Sequence, residues 1–561
     1  MILRFAPAFA IALLLGPVVF GLAATLLPAF GYLPSLGGTE VSTKPFADLF
    51  AMPGVWRSAA LSLITGLVTT AIALTIVILF VSGWFGARIF ARVQHLISPL
   101  LSVPHAAAAF GLAFLIAPSG YIMRLLSPWA TGATRPPDVL ILQDPYGLSM
   151  MAGLIIKEIP FLLLVTLAAL PQTRPRQSRH IAQSFGYGRL AAFLHTTWPL
   201  VYRQIRLAVI AVIAYATSVV DVAIILGPST PSTLAVRLTQ WMSDPDIALR
   251  FVASAGAVLQ LGVTVTAILI WLVSERVAAR IMRTQRQSGR RVQKDAVLRA
   301  AGLILIVTAA FLIFAGLFIL GLWSVSGFWA FPDALPRNFT LQNWGRAWFT
   351  MVGPLSNTLW IGAIATVVAI IITLACLERE ARTGRTGGSR ALLFIYLPLI
   401  VPQVSFVFGL QIFFVSIGYD ASWPALVFVH LIFVLPYVFL SLSDPWRAWD
   451  RRFANVAHGL GASPTRTFWR VRLPMLLKPA LVAAAVGFAV SIGQYLPTLL
   501  IGAGRIPTIT TEAVALASGG DRRVIGVYAF VQMILPFLGF ALAAAIPAIL
   551  FRNRSDMKGV S

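Results

Sequence analysis

A helix that crosses a bilayer must be apolar on every side for roughly 20 residues, because hydrocarbon offers its backbone no hydrogen-bond partner. Twelve stretches of this chain meet that demand, near 5–30, 58–83, 96–118, 147–171, 200–227, 250–273, 299–325, 356–377, 391–417, 422–442, 478–502 and 523–550. Charged residues make up only 11% of the 561 positions, against about 25% in a soluble domain. The expected fold is therefore an all-α polytopic membrane protein of about twelve transmembrane helices in two homologous six-helix halves, residues 1–285 and 286–561. Residues 1–30 begin with a charge and an apolar stretch, but the stretch is too long for a signal-peptide core and reads as a retained first span.

A formal net charge of +24 suggests nucleic acid until its distribution is followed. With the N-terminus placed inside, roughly three quarters of the 43 Lys and Arg residues fall in loops on one side: Arg4, Arg88 and Arg92, the loop 172–206, the run Arg276–Arg299, Arg379–Arg390, the loop 444–478 and the C-terminal tail. That bias is the positive-inside signal. It places both termini in the cytoplasm and makes the basic charge topological, with no nucleic-acid partner implied; the lipid bilayer, whose inner leaflet attracts basic residues, is the partner it does imply.

The longest polar, Arg-rich segment of the second half has a fainter copy in the first. His180-Ile-Ala182-Gln-Ser-Phe185-Gly186 recurs 275 positions later as Asn455-Val-Ala457-His-Gly-Leu460-Gly461. A Pro follows each Gly by thirteen residues, at Pro199 and Pro474. Each segment has the length of two short helices joined at the Gly, with Phe185 or Leu460 as an apolar knob beside the turn. Matching pairs occur elsewhere too. Ser98-Pro99-Leu-Leu-Ser-Val-Pro104 aligns with Leu397-Pro398-Leu-Ile-Val-Pro402, and a Phe-Gly-Leu follows at the same interval, placing Gly111 and Gly409. Pro removes a helix hydrogen bond and Gly admits a close neighbour, so one bent, tightly packed helix per half is expected.

This spacing, Ala-x-x-x-Gly, nine residues, then aliphatic-x-Leu-Pro, resembles the "EAA" loop of permease subunits in binding-protein-dependent ABC importers. The second copy fits at Gly461, Val471, Leu473 and Pro474; the first keeps Gly186 and Pro199 but has Thr196 and Trp198 in the other places. Neither has the family's leading Glu, its place being taken by His180 and Asn455. Duplication and size make the chain similar to the fused permeases of ferric iron and thiamine importers. The resemblance implies a bacterial inner-membrane permease of the type I importer fold, two ATPase subunits docked on the two loops, and a solute-binding protein outside. A small molecule or ion would be the cargo. No G-x-x-x-x-G-K-[ST] phosphate loop occurs, and none of the five Lys residues follows a Gly, so ATP would be bound by a separate subunit and this chain needs no cofactor of its own.

Ionisable residues inside spans are costly, about 2.5–3.5 kcal/mol each on insertion scales, and mark function or a pair. Lys157 and Glu158 lie in the fourth span and Asp221 in the fifth; Lys157 is expected to pair with Asp221, and Gln494 stands opposite Asp221 in the second half. Either these four line a solute path or the charges form a structural ion pair. Nothing points to metal or catalysis: Cys376 is alone, the six His residues are scattered, and neither H-E-x-x-H nor G-x-S-x-G occurs. An ion-coupled secondary transporter, which also has twelve spans and repeated halves, is the alternative, though it leaves the two matched loops unexplained. Two further segments carry expectations: an insertion from Arg124 to Tyr146, facing outside, and a basic linker from Glu275 to Arg299 joining the halves.

Overall fold

The computed structural model describes residues 2–289, 291–384 and 387–552. Among them there is no sheet, only isolated bridges between Leu33 and Gly38 and between Ser326 and Phe339. Among the described residues ten helices are long and apolar enough to span a bilayer, or twelve if each of two bent pairs is one span. In chain order the spans are 1, Ala6–Ala29; 2, Val55–Trp84; 3, His105–Leu126; 4, Leu148–Thr173; 5, Arg189–Ser218; 6, Leu249–Gln287; 7, Ala296–Ser324; 8, Gln342–Thr383; 9, Ala391–Ile400 with Gln403–Ser416; 10, Trp423–Arg447; 11, Pro464–Met475 with Leu477–Ile492; and 12, Arg522–Leu550. Of the basic residues that set the orientation, Arg290, Arg385, Arg554 and Lys558 lie outside the described residues.

The first span of each half packs on the other half. Span 1 lies against Gln403–Ser416 of span 9 and also touches spans 6 and 8, while span 7 lies across spans 2, 3 and 4 as well as span 12. The glycines explain where the helices cross. A Cβ on Gly111 would stand 2.9 Å from the carbonyl carbon of Gly316 in span 7, and one on Gly409 would collide with the Gly21 carbonyl of span 1. Each half thus clasps the other at one glycine pair, related by the duplication.

Several expected spans are broken. Span 3 is expected from residue 96, but that stretch is an amphipathic helix, Arg88–Ile97, and a tight turn, Ser98–Ser102, before the membrane helix begins at His105. Val103 before Pro104 and Val401 before Pro402 are extended, as a residue before proline must be, and the two parts of span 9 meet at 85°. The run 200–227 is likewise two helices, Trp198–Ser218 and Asp221–Leu226, and 478–502 divides into Leu477–Ile492 and Leu496–Gly502. Spans 6 and 8 are longer than hydropathy suggested. Span 8 starts at Gln342, well ahead of the expected start at 356. Trp329 is buried, its ring 4.5 Å from that of Trp323 and under the guanidinium of Arg124.

Candidate functional site

The two polar loops fold alike, as prongs. The first is a helix, Pro175–Ser184, a turn at Gly186 with φ +86°, a short helix Arg189–Ala192, and a wide π turn, Phe193–Thr197, leading into Trp198–Ser218. The second repeats this as Arg452–Gly459, Gly461 with φ +80°, Pro464–Thr467 and the π turn Phe468–Arg472. Left-handed backbone is what makes Gly the residue at each corner. Pro199 and Pro474 follow the π turns closely; each lacks the N–H that would continue the tighter ladder.

On the prongs Ala182 and Ala457 face inward and are buried. The large apolar residues beside them face outward: Ile181 and Phe185 are 55% and 58% exposed, and Val456 and Leu460 are 63% and 83% exposed. These are equivalent positions, one helical turn apart on each prong. His180 and Asn455 are exposed beside them, while Val471, Leu473, Pro199 and Pro474 are half-buried where the prongs return to the bundle.

Sequence reasoning missed what holds the prongs. Arg472, inside the second π turn, is half-buried against the rings of Trp446 and Trp449 and pairs with the buried Glu378 of span 8 at 2.8 Å; Glu378 also binds Arg382 at 2.7 Å. On the first prong the amide of Leu190 donates to Asp295 Oδ2 of the linker at 2.8 Å. The signal that would have found both is the rarity of acids among these Arg-rich loops. Glu275, Asp295, Glu378, Glu380 and Asp450 each meet an Arg there.

The intramembrane polar residues gather where helices break. Asp221 opens the short helix after the interruption in span 5, and Gln494 lies in the matching interruption after Ile492. Non-helical backbone at membrane depth is tolerated only within protein or along a cavity. Lys157 and Glu158 are both buried, but Lys157 does not take Asp221 as its partner. Its ammonium donates to the carbonyls of Leu100 and Leu101, 3.3 Å each, in the turn before Pro104. The break in span 3 turns those carbonyls toward span 4, and an ammonium, all donor, satisfies them.

Glu158 meets His105 Nε2 at 3.2 Å, and the His105 ring lies 4.7 Å from that of Tyr215. Asp221 lies within electrostatic reach of His105 and of Tyr495, and Tyr437 within reach of Glu158, so residues of both halves face one seam. Gln494 donates to the His430 carbonyl at 3.2 Å and its buried Oε1 has no partner among the described residues; His430 itself bonds Ser491 and Thr498. The first half is thus charged along this seam and the second, at the corresponding break, is neutral.

Comparison with known proteins decides the family. A profile described as "binding-protein-dependent transport system inner membrane component" matches residues 372–553. The chain is 32% identical over 543 residues, 96% of its own length and 96% of the relative's, to the inner membrane ABC transporter permease protein YnjC of Escherichia coli (strain K12). This chain belongs to the ABC importer permeases. The shorter permeases it resembles match only part of it. The putrescine transport system permease PotI of the same organism is 26% identical over 31% of this chain and 68% of its own. The putative 2-aminoethylphosphonate transport system permease PhnV of Salmonella typhimurium (strain LT2) is 27% identical over 40% and 83%. A match of most of a shorter permease to well under half of this chain agrees with a fused two-repeat form of the permease. Family membership replaces the ion-coupled alternative and gives relatives that are transport proteins rather than enzymes, from a family that works with ATPase and binding-protein partners.

Proposed function

We propose that this permease forms both halves of a passage through which a small solute, handed over by an external binding protein, enters the cytoplasm, and that two copies of a separate ATPase drive it through the two prongs. The observation that carries the reading is the repeated pair of outward-facing apolar residues, Ile181 with Phe185 and Val456 with Leu460, on otherwise basic, polar segments. Large apolar side chains displayed on a polar element mark a surface that is covered by a partner. The arginine bias supports a cytoplasmic position for these prongs and for both termini. Two prongs related by duplication suit a two-fold ATPase dimer, and a state of that dimer that binds them better shifts the bundle between inward-open and outward-open forms.

The seam between the halves is the proposed path. Lys157 is occupied by carbonyls and Glu158 by His105, so the groups left to a solute are Asp221, Gln494 Oε1 and the tyrosines, which favour a cationic or hydrogen-bond-donating solute. The test of the coupling is substitution of the knobs. Phe185→Asp with Leu460→Asp should leave the permease in the membrane and abolish both co-purification of the ATPase and ATP-dependent uptake. Full uptake by that variant would refute the docking role.

A further inference from the structure

The two prongs have the same shape but are held by different means. In the second, Ser463 caps its own short helix, its Oγ accepting from the Arg466 amide at 3.3 Å, and the Arg472–Glu378 pair ties the prong to span 8. The corresponding residues of the first prong are Gly188 and Thr197, which have neither the capping oxygen nor the charge.

What replaces them is the linker. Asp295 Oδ2 accepts from the Leu190 amide at 2.8 Å, the Gly188 amide donates to the Val292 carbonyl at 2.9 Å, and Gln293 Nε2 donates to the Gly186 carbonyl at 3.1 Å. A Cβ on Gly186 would lie 3.3 Å from Arg291, whereas a Cβ on Gly461 would meet nothing within 4 Å. Asp295 is buried, immediately precedes span 7, and pairs with Arg299 at 3.3 Å. Arg299 in turn lies over the Trp84 ring at 5.6 Å, and Trp84 Nε1 donates to the Arg299 carbonyl at 2.9 Å, at the end of span 2. One carboxylate therefore joins the first prong, the start of span 7 and, through Arg299, the end of span 2.

We propose that Asp295 is a positioning residue for coupling. From the linker it caps and straps the first prong, so that a displacement of that prong passes directly into span 7, which lies across spans 2 to 4 of the first half. The linker is thus a transmission element as well as a tether, and the two prongs are mechanically unequal. This rests on the proposal that the prongs receive the motion of an ATPase.

The chemistry separates capping from strapping. Gly188 has φ −63° and ψ 169°, ordinary for a Ser N-cap, but its Cβ would stand 2.9 Å from the carbonyl oxygens of Val292 and Gln293. Gly188→Ser should therefore cap the helix as Ser463 does while pushing the linker off. The experiment uses the full chain, with the ATPase and solute receptor that accompany it, in proteoliposomes, and reads uptake, ATP hydrolysed per solute and hydrogen exchange over residues 186–192. Asp295→Ala and Gly188→Ser are expected to keep the ATPase bound, lower uptake several-fold and raise the ATP used per solute. Asp295→Ala should also speed exchange at Leu190, and Asp295→Asn, which keeps an acceptor oxygen, should restore most uptake. Wild-type stoichiometry in Gly188→Ser would overturn the strap and reduce Asp295 to a cap; unchanged exchange in Asp295→Ala would overturn both. Loss of ATPase binding in the Phe185→Asp, Leu460→Asp variant is a separate reading, so failure of docking is told apart from failure of the strap.

Discussion

Gly111 of span 3 and Gly316 of span 7 pack backbone against backbone, with no room on either for a methyl group. The duplicate of this contact joins Gly409 to Gly21, so each half is closed by the first span of the other. Because the fault would lie in backbone rather than in a flexible side chain, neither pair can relax cheaply. Gly111→Ala is expected to cost about 1–3 kcal/mol by overpacking, and Gly409→Ala at least as much. Thermal unfolding of the detergent-solubilised permease is the measurement; an unchanged melting temperature in both would mean that the helices do not cross there.

Arg472 and Glu378 form the largely buried tie of the second prong. Removing one member of a buried pair leaves the other charge uncompensated, typically at a cost of roughly 3–5 kcal/mol. Glu378→Gln should therefore lower the melting temperature and, by freeing Arg472 from its anchor, loosen the second prong. The double variant Glu378→Gln, Arg472→Met should be less damaged than the two single changes summed. Additivity in that cycle would show that the pair does not act as a unit.

The membrane fold, the twelve candidate spans and the duplication were legible because each rests on a one-dimensional signal. Hydropathy counts residues, and the repeat of Gly186 at Gly461 and of Pro104 at Pro402 survives divergence. The corner conformations at Gly186 and Gly461 followed from the same reasoning. What hydropathy cannot report is a break inside an apolar run. Val219 and Val220 are as apolar as any helical residue and neither Gly493 nor Tyr495 carries a charge, so the interruptions beside Asp221 and at Gln494 were hidden. The partner of Lys157 was missed for a related reason: it is a pair of backbone carbonyls exposed by such a break, and backbone has no letter in a sequence. The linker read as a tether because its acid, Asp295, looks like any other polar loop residue until the fold brings Leu190 to it.

Asp144, within the first-half insertion, is a cap for span 4. Its carboxylate accepts from the amides of Leu148 at 2.8 Å, Ser149 at 3.0 Å and Tyr146 at 3.2 Å. Burial raises its proton affinity, but these hydrogen bonds, with that of the Ser149 hydroxyl, outweigh it and hold the carboxyl below the usual range. A depressed folded value means that the stabilisation is present above the unfolded value near 4 and is lost as pH falls through the folded one. Asp144→Ala should cost about 1–2 kcal/mol at neutral pH. A stability difference between the variant and the parent that shrinks on acidification below pH 4 is the expected result, and one that grows would contradict the assignment.

Asp221 offers the sharpest test of the seam. Asp221→Asn preserves size and hydrogen-bonding capacity while removing the buried carboxylate beside the break in span 5. If Asp221 served only to hold helices together, the variant would insert poorly and uptake would fall in proportion to the amount of protein. Lys157 argues against that role, since its ammonium is already satisfied by Leu100 and Leu101 and does not depend on Asp221. The expected outcome is therefore normal insertion with altered uptake per molecule, and a larger loss for cationic solutes than for neutral ones. Gln494→Leu, at the equivalent break, should spare charge selectivity, because no carboxylate is lost there. Equal effects of the two substitutions on every solute tested, or a collapse of expression in Asp221→Asn, would move the aspartate from the path to the scaffold.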